Sequence, residues 1–151
     1  AIVALQISEA SRVEERLFDE EVVRVRGLAD ADRPVPRPET LRAMRLLLLE
    51  EGQCFRDQAL SYCNTAASLP RDLMEGSSLT TLVQMVGAGI GVTLIPEMAL
   101  TIETRSAPVS TARLAAPRPS RTIGMIWRKS NPLASQFGQI TDSIRQASVI
   151  R

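Results

Sequence analysis

The sequence contains no histidine and only one lysine, Lys129. Without an imidazole there is no Ser-His-Asp or Cys-His pair, no imidazole general base and no His-containing metal site. The carboxylates are scattered and no two are marked as an acid/base pair, so conventional hydrolytic catalysis has little support. Cysteine is scarce as well. Cys54 and Cys63 are too few for a disulfide scaffold and do not make a zinc centre by themselves, and they read as reactive or structural thiols. No apolar run is long enough to cross a bilayer, and no basic segment followed by an apolar one opens the chain. A cytoplasmic location with no membrane partner is expected. Net charge is only +1, from 18 basic and 17 acidic residues. The basic residues are spread out, so no electrostatic footprint for nucleic acid is visible and direct DNA binding by this chain is not expected.

With 151 residues, 44% hydrophobic and 23% charged, the chain can bury a core of its own and has the composition of a globular domain. Its most informative stretch surrounds the cysteines. Leu46-Leu47-Leu48-Leu49 is short enough to be a buried strand, and Gly52 breaks it. Phe55, Ala59, Leu60 and Cys63 then recur at helical spacing, which puts Cys54 in the first turn of a helix. There the unpaired backbone N–H groups and the positive end of the helix dipole favour a thiolate.

Cys63 follows nine positions later. On one continuous helix the Cα atoms would lie roughly 13 Å apart, with the sulfurs on opposite sides. A disulfide needs about 7 Å or less, so bonding the two would require local unwinding. A helix that must melt to form a disulfide is a redox switch. The alternative is a pair of small buried hydrophobes, as free cysteines often are. Spacing alone leaves both open.

Along the rest of the chain, residues 1–5 (AIVAL) read as a buried strand, an abrupt start that suggests a fragment. Val22, Val23 and Val25 interleaved with Arg24 and Arg26 give the alternation of a half-exposed strand. The prolines at 34, 36 and 38 force an extended loop before a short helical piece over 39–44. Residues 64–70 form a polar connection and 71–75 a strand. Ser78 is placed to cap a helix whose apolar face is Leu79, Leu82, Val83 and Val86, and Gly89 to end it in the left-handed conformation. Residues 90–95 form a buried strand stopped by Pro96, and 97–100 a short helix. A weaker strand covers 109–114, followed by a proline-spaced loop over 116–119 and a strand over 122–127. Asn131 and Pro132 start a last helix with Leu133, Phe137, Ile140, Ile144 and Ala147 along one face. Strands alternating with helices predict an α/β fold with a largely parallel sheet.

The segment from Ser78 through Gly87-Ala88-Gly89-Ile90-Gly91-Val92-Thr93-Leu94-Ile95-Pro96 resembles the effector-domain signature of LysR-type transcriptional regulators. Within that family, Gln53-Cys54-Phe55-Arg56-Asp57-Gln58-Ala59-Leu60 followed by Cys63 is similar to the redox helix of the OxyR-type hydrogen-peroxide sensors. Pro119-Ser120-Arg121-Thr122-Ile123-Gly124 also matches that subgroup. The resemblance covers essentially the whole chain. It implies a periplasmic-binding-protein-like α/β fold of two lobes, with lobe II over residues 19–121 and the remainder of an incomplete lobe I over 1–18 and 122–151, joined by two crossovers. It also implies that the family's helix-turn-helix DNA-binding domain, and the opening strands and helices of lobe I, lie outside this sequence.

The resemblance further assigns roles. Cys54 is the peroxidatic cysteine, whose thiolate attacks H₂O₂ to give a sulfenic acid, and Cys63 resolves it to a disulfide. Arg121 matches an arginine near the sulfur that stabilises thiolate or departing hydroxide. The family carries a histidine where this chain has Gln53, which can donate a hydrogen bond but has no pKa near neutrality. Slower oxidation than in a histidine-bearing relative is therefore expected. The hydroxyls with which the family holds peroxide come from the part of lobe I outside this sequence, so no residue here takes their place. Arg56 and Asp57 are read as helix-surface residues. Ser78, Thr80 and Thr81 begin a helix at a lobe edge where other family members bind small effectors, which makes Ser78 and Thr80 candidate effector-site residues, although capping explains at least one of them. Leu82, Met85 and Val86 are assigned to the core or to a dimer face. The implied partners are hydrogen peroxide, a homodimer or tetramer, thiol reductants such as glutaredoxin or thioredoxin, and DNA and RNA polymerase through the full-length protein. No cofactor is implied.

Two other functions compete with a redox-sensing regulatory domain. One is a small-molecule effector-binding domain of the same family with incidental cysteines. The other is a thiol peroxidase that turns over with a reductant, against which the lack of a peroxidase-type motif argues.

Overall fold

A computed structural model describes residues 1–5, 9–35, 38–41, 44–51, 54–63 and 73–149. Its described strands, in chain order, are β1 (Ile2–Ala4), β2 (Arg12–Gly27), β3 (Leu46–Leu49), β4 (Leu73–Gly76), β5 (Val92–Pro96), β6 (Val109–Arg113) and β7 (Ser120–Arg128). The helices are α1 (Pro38–Leu41), α2 (Cys54–Tyr62), α3 (Leu79–Gly87), α4 (Leu100–Glu103) and α5 (Ala134–Val149). Contacts divide the chain into two compact units, Ala1–Glu20 with Ser120–Arg151, and Glu21–Pro119. Among the described residues no helix is long and apolar enough to cross a membrane.

In the unit Glu21–Pro119 the strand order is β5-β3-β4 on one side of the latter half of β2, with β6 on its other side. Strand β3 is parallel to β4 and β5; along the chain α2 lies between β3 and β4, and α3 between β4 and β5. Strand β2 is antiparallel to both β5 and β6. The sheet is therefore mixed rather than largely parallel, because β2 enters between β5 and β6 against their direction. The half-exposed reading of β2 is overturned as well. Val22 to Arg26 are all buried, arginines included. Arg26 satisfies its guanidinium on Ser110 Oγ at 3.1 Å and on the Ala31 and Arg33 carbonyls. Arg24, only 2% exposed, leaves Nε and Nη2 without an acceptor among the described residues. Its pKa is lowered from the ordinary arginine value, chiefly by desolvation and next by Arg26, with Asp30 opposing.

The core of this unit joins the β3 leucines to Leu41, Phe55, Ala59, Cys63, Leu82, Val83, Val86, Leu94 and Ile95. Helix α3 is closed at both ends by its own sequence. Ser78 Oγ accepts the Thr81 N–H at 3.2 Å. At the other end Gly89, at φ +79°, lets its N–H reach Val86 O and that of Ile90 reach Met85 O, a Schellman motif. The expected short helix over 97–100 extends further, as a 3₁₀ turn (Glu97–Ala99) running into α4.

The other unit contains β1, β7, the first half of β2 and α5, with a core of Leu17, Ile123 and Met125 packed by Phe18, Trp127, Phe137 and Ile144. The opening strand forms as expected but is not buried, since Ile2 lies in the open. Asn131 caps a turn, accepting the Leu133 N–H at 2.9 Å, and α5 starts at Ala134 rather than at Pro132. The buried line of α5 also differs from the expected one. Thr141 takes the inward position, its hydroxyl on Phe137 O at 2.9 Å and near Met125 Sδ at 3.3 Å, while Leu133 and Ile140 are exposed. A threonine that returns its hydroxyl to the preceding turn can be buried without an unpaired donor.

Candidate functional site

The cysteine segment belongs to the unit Glu21–Pro119. Strand β3 ends at Leu49, the Glu50 N–H continues the parallel ladder onto Gly76 O at 3.2 Å, and α2 begins at Cys54. Gln53 and the Cys54 side chain lie outside the described residues. The helix is regular to its end, and the Cys63 N–H still donates to Ala59 O at 3.2 Å. Phe55, Ala59 and Cys63, each four residues from the next, point into the core. Cys63 is a fully buried thiol. The two cysteines thus stand at opposite ends of an unbroken helix, with Cα atoms roughly 13 Å apart at the usual rise per residue.

Two residues of the same helix were not legible as site residues. Arg56, read from sequence as a surface residue, is 5% exposed. Its Nη1 donates to Leu49 O at 2.9 Å and pairs with Glu75 on β4. The side chain therefore ties the first turn of α2 to two neighbouring strands. The reason it was missed is that its partners come from elements 7 and 19 residues away. Asp57 is exposed, as expected. Gln58 lies one helical turn after Cys54, hence on the same side of α2. Its Oε1 is buried and accepts no hydrogen bond among the described residues. A signal existed in the i, i+4 spacing from Cys54, but it does not tell a buried amide from an exposed one.

The remaining predicted residues fall elsewhere. Ser78 and Thr80 sit in the first turn of α3, where Ser78 serves as the cap and Thr80 Oγ1 donates to Glu103 Oε2 at 2.7 Å. Leu82 and Val86 are core, and Met85 packs against that core. Arg121 lies on β7 in the other unit, Ala1–Glu20 with Ser120–Arg151. There its Nε donates to Glu20 Oε2 at 2.6 Å, a pair in which the carboxylate is almost wholly buried. Among the described residues no group of three or more His, Cys, Asp or Glu is placed to hold a metal ion.

Chemically, α2 presents one cysteine at a helix N-terminus and a second held in the core beyond its last turn. This arrangement suits a two-thiol couple whose oxidised form has a different backbone from its reduced form.

Residues 1–148 match the family model described as LysR substrate binding domain. The chain is 38% identical, over 97% of its length, to a probable hydrogen peroxide-inducible genes activator of Streptomyces viridosporus, and covers 48% of it. It is 35% identical, over 95% of its length, to the DNA-binding transcriptional dual regulator OxyR of Escherichia coli, again covering 48%. The chain thus spans about half the length of the curated relatives it matches. The fold is similar to that of the reduced form of the OxyR regulatory domain from Pseudomonas aeruginosa, with a TM-score of 0.80 and 33% identity over 96% of this chain and 71% of that one. The expected α/β, periplasmic-binding-protein-like effector-domain fold is borne out.

Proposed function

The chain belongs to the LysR substrate-binding domain family, and from that premise we propose that it is the hydrogen-peroxide-sensing regulatory part of a LysR-type transcription factor, switched by a reversible Cys54–Cys63 disulfide. The observation that carries the reading is the unbroken helix between the two cysteines, with Cys63 bonded to Ala59 at its end. Oxidation of such a pair cannot be silent, because the crosslink requires α2 to come apart.

The chemistry runs in two steps. The Cys54 thiolate attacks one peroxide oxygen, an S–O bond forms as the O–O bond breaks, and the departing hydroxide takes a proton to become water. Cys54 is thereby oxidised to a sulfenic acid. The Cys63 thiolate then attacks the Cys54 sulfur, the S–S bond forms and the second hydroxide leaves as water. Two thiols of a reductant such as glutaredoxin or thioredoxin reverse the couple through a mixed disulfide. The chain acts once per signal and is not a turnover peroxidase. Arg121 supports the reaction in a role that rests on the resemblance, while its guanidinium is engaged with Glu20.

In this proposal the unit Glu21–Pro119 is lobe II and the unit formed by Ala1–Glu20 and Ser120–Arg151 is the remainder of lobe I. The full-length protein binds DNA, contacts RNA polymerase, works in the cytoplasm and assembles as a dimer or tetramer whose packing follows the redox state. A small-effector domain is the weaker reading, since the Ser78 and Thr80 hydroxyls it would use already serve the helix cap and Glu103. Intact mass and peptide mapping after a brief, near-stoichiometric H₂O₂ pulse test the proposal. A Cys54–Cys63 crosslink is expected. Two thiols left intact, or a Cys54 that stops at sulfinic or sulfonic acid, would refute it.

A further inference from the structure

Three features of the described residues lie outside the chemistry above: the apolar exposed side of α5, the orphaned guanidinium of Arg24, and the buried guanidinium of Arg56. The third joins the redox helix directly. Arg56 stands between the two cysteines, two residues after Cys54, and holds the carbonyl at the end of β3 and the carboxylate of Glu75 on β4. Glu75 is partly exposed, whereas the arginine is almost fully buried.

We infer that Arg56 is a positioning residue that fixes the first turn of α2 on the sheet in the dithiol state, and that its release accompanies disulfide formation, so that the Arg56–Glu75 pair sets the reduction potential of the Cys54/Cys63 couple. This rests on the redox reading given above. To bring the two Cα atoms from roughly 13 Å to within about 7 Å, one end of α2 must leave its seat. At one end Cys63 and Ala59 are buried in the apolar core, and Phe55, in the first turn beside Arg56, reaches the same core. At the other the seat is polar, built by Arg56 against the end of β3 and against β4, the last strand in the sheet order. Releasing the Arg56 end takes Phe55 from the core and exposes a guanidinium and a carboxylate that water can solvate. Releasing the other end strips apolar side chains from the core. The first also releases polar groups that water can solvate, and it is the move inferred here.

A contact present only in the dithiol state holds the couple reduced. Its loss makes the disulfide easier to form and harder to reduce. The overall exchange is balanced: the protein disulfide and two glutathione thiols give two protein thiols and one oxidised glutathione.

The experiment equilibrates this chain in glutathione buffers of graded ratio and reads the disulfide fraction by alkylation and mass. Glu75→Gln is the main variant, because it leaves Arg56 with its Leu49 carbonyl and an uncharged acceptor. Arg56→Lys keeps the charge but not the two-point geometry. Ser61→Ala, exposed on the same helix, is the control. About a tenfold shift of the equilibrium toward disulfide is expected for Glu75→Gln, which for a two-electron couple is about 30 mV to more negative potential. Arg56→Lys should shift the same way and Ser61→Ala should not shift. A general loss of stability weakens both redox forms and does not produce this result. Midpoints of Glu75→Gln and Arg56→Lys within about twofold of the parent would overturn the inference and leave the switch standing. A parent chain that forms no Cys54–Cys63 bond at any ratio would overturn both.

Discussion

Helices α2 and α3 lie in the same unit and contain nine residues each, but they are held by different means. Helix α3 has its retaining devices in its own sequence: a serine cap, a glycine stop at positive φ, and an apolar stripe of Leu82, Val83 and Val86 that is wholly buried. Helix α2 buries Phe55 and Ala59, with Cys63 just beyond, and its first turn is tied down by Arg56, whose partners belong to other strands. The cap and the stop of α3 are local, so its ends stay closed when a contact elsewhere in the unit is lost. A helix stabilised by tertiary contacts can be let go when those contacts are exchanged for a covalent bond. In the proposed switch the element that moves is not a loose one, since Phe55, Ala59 and Arg56 of α2 are packed or hydrogen-bonded in the core and to the sheet.

Substitutions separate the two helices. Cys63→Ala should abolish the intramolecular crosslink entirely while leaving α2 folded, and peroxide-treated protein should then carry its oxidation on Cys54 alone, read by mass. Gln53→His should raise the rate of Cys54 oxidation, on the order of 10² if the imidazole acts as a proton donor to the leaving hydroxide, read by stopped-flow peroxide kinetics. Leu82→Ala should cost about 2–5 kcal/mol of stability in denaturant unfolding, the usual range for a buried leucine, without changing the yield of crosslink. Arg24→Met should instead stabilise the protein by roughly 1–3 kcal/mol, because it removes a buried guanidinium with two nitrogens lacking acceptors among the described residues, unlike Arg56. Ser78→Ala should lower stability by about 1 kcal/mol through loss of the α3 cap, again with the redox chemistry intact.

What could be read from the sequence follows the same division. The leucine strand, the α3 cap and stop, and the start of α2 at Cys54 are local patterns, and each is where the residues put it. The failures are nonlocal. Alternating valine and arginine in β2 reads as one wet face until residues 28–33 meet it, the Ala31 and Arg33 carbonyls accepting from Arg26. Arg56 reads as surface until Glu75 and Leu49 O meet it, and Arg121 meets Glu20 across 101 positions. On α5 the expected apolar stripe is turned because Thr141 satisfies its own hydroxyl and is buried in place of Ile140. The cysteine pair was legible as a spacing, and its assignment as a switch came from the resemblance rather than from the spacing.

In the proposed switch, oxidation links Cys54 to Cys63 by taking α2 apart while α3 stays whole. Hydrogen exchange read by mass spectrometry on peptides covering residues 54–62 and 79–87, before and after a stoichiometric peroxide pulse, tests it most directly. A crosslinked product is expected in which the first peptide loses its protection and the second keeps it. Crosslinked protein with α2 still protected, or loss of protection in both helices together, would contradict it.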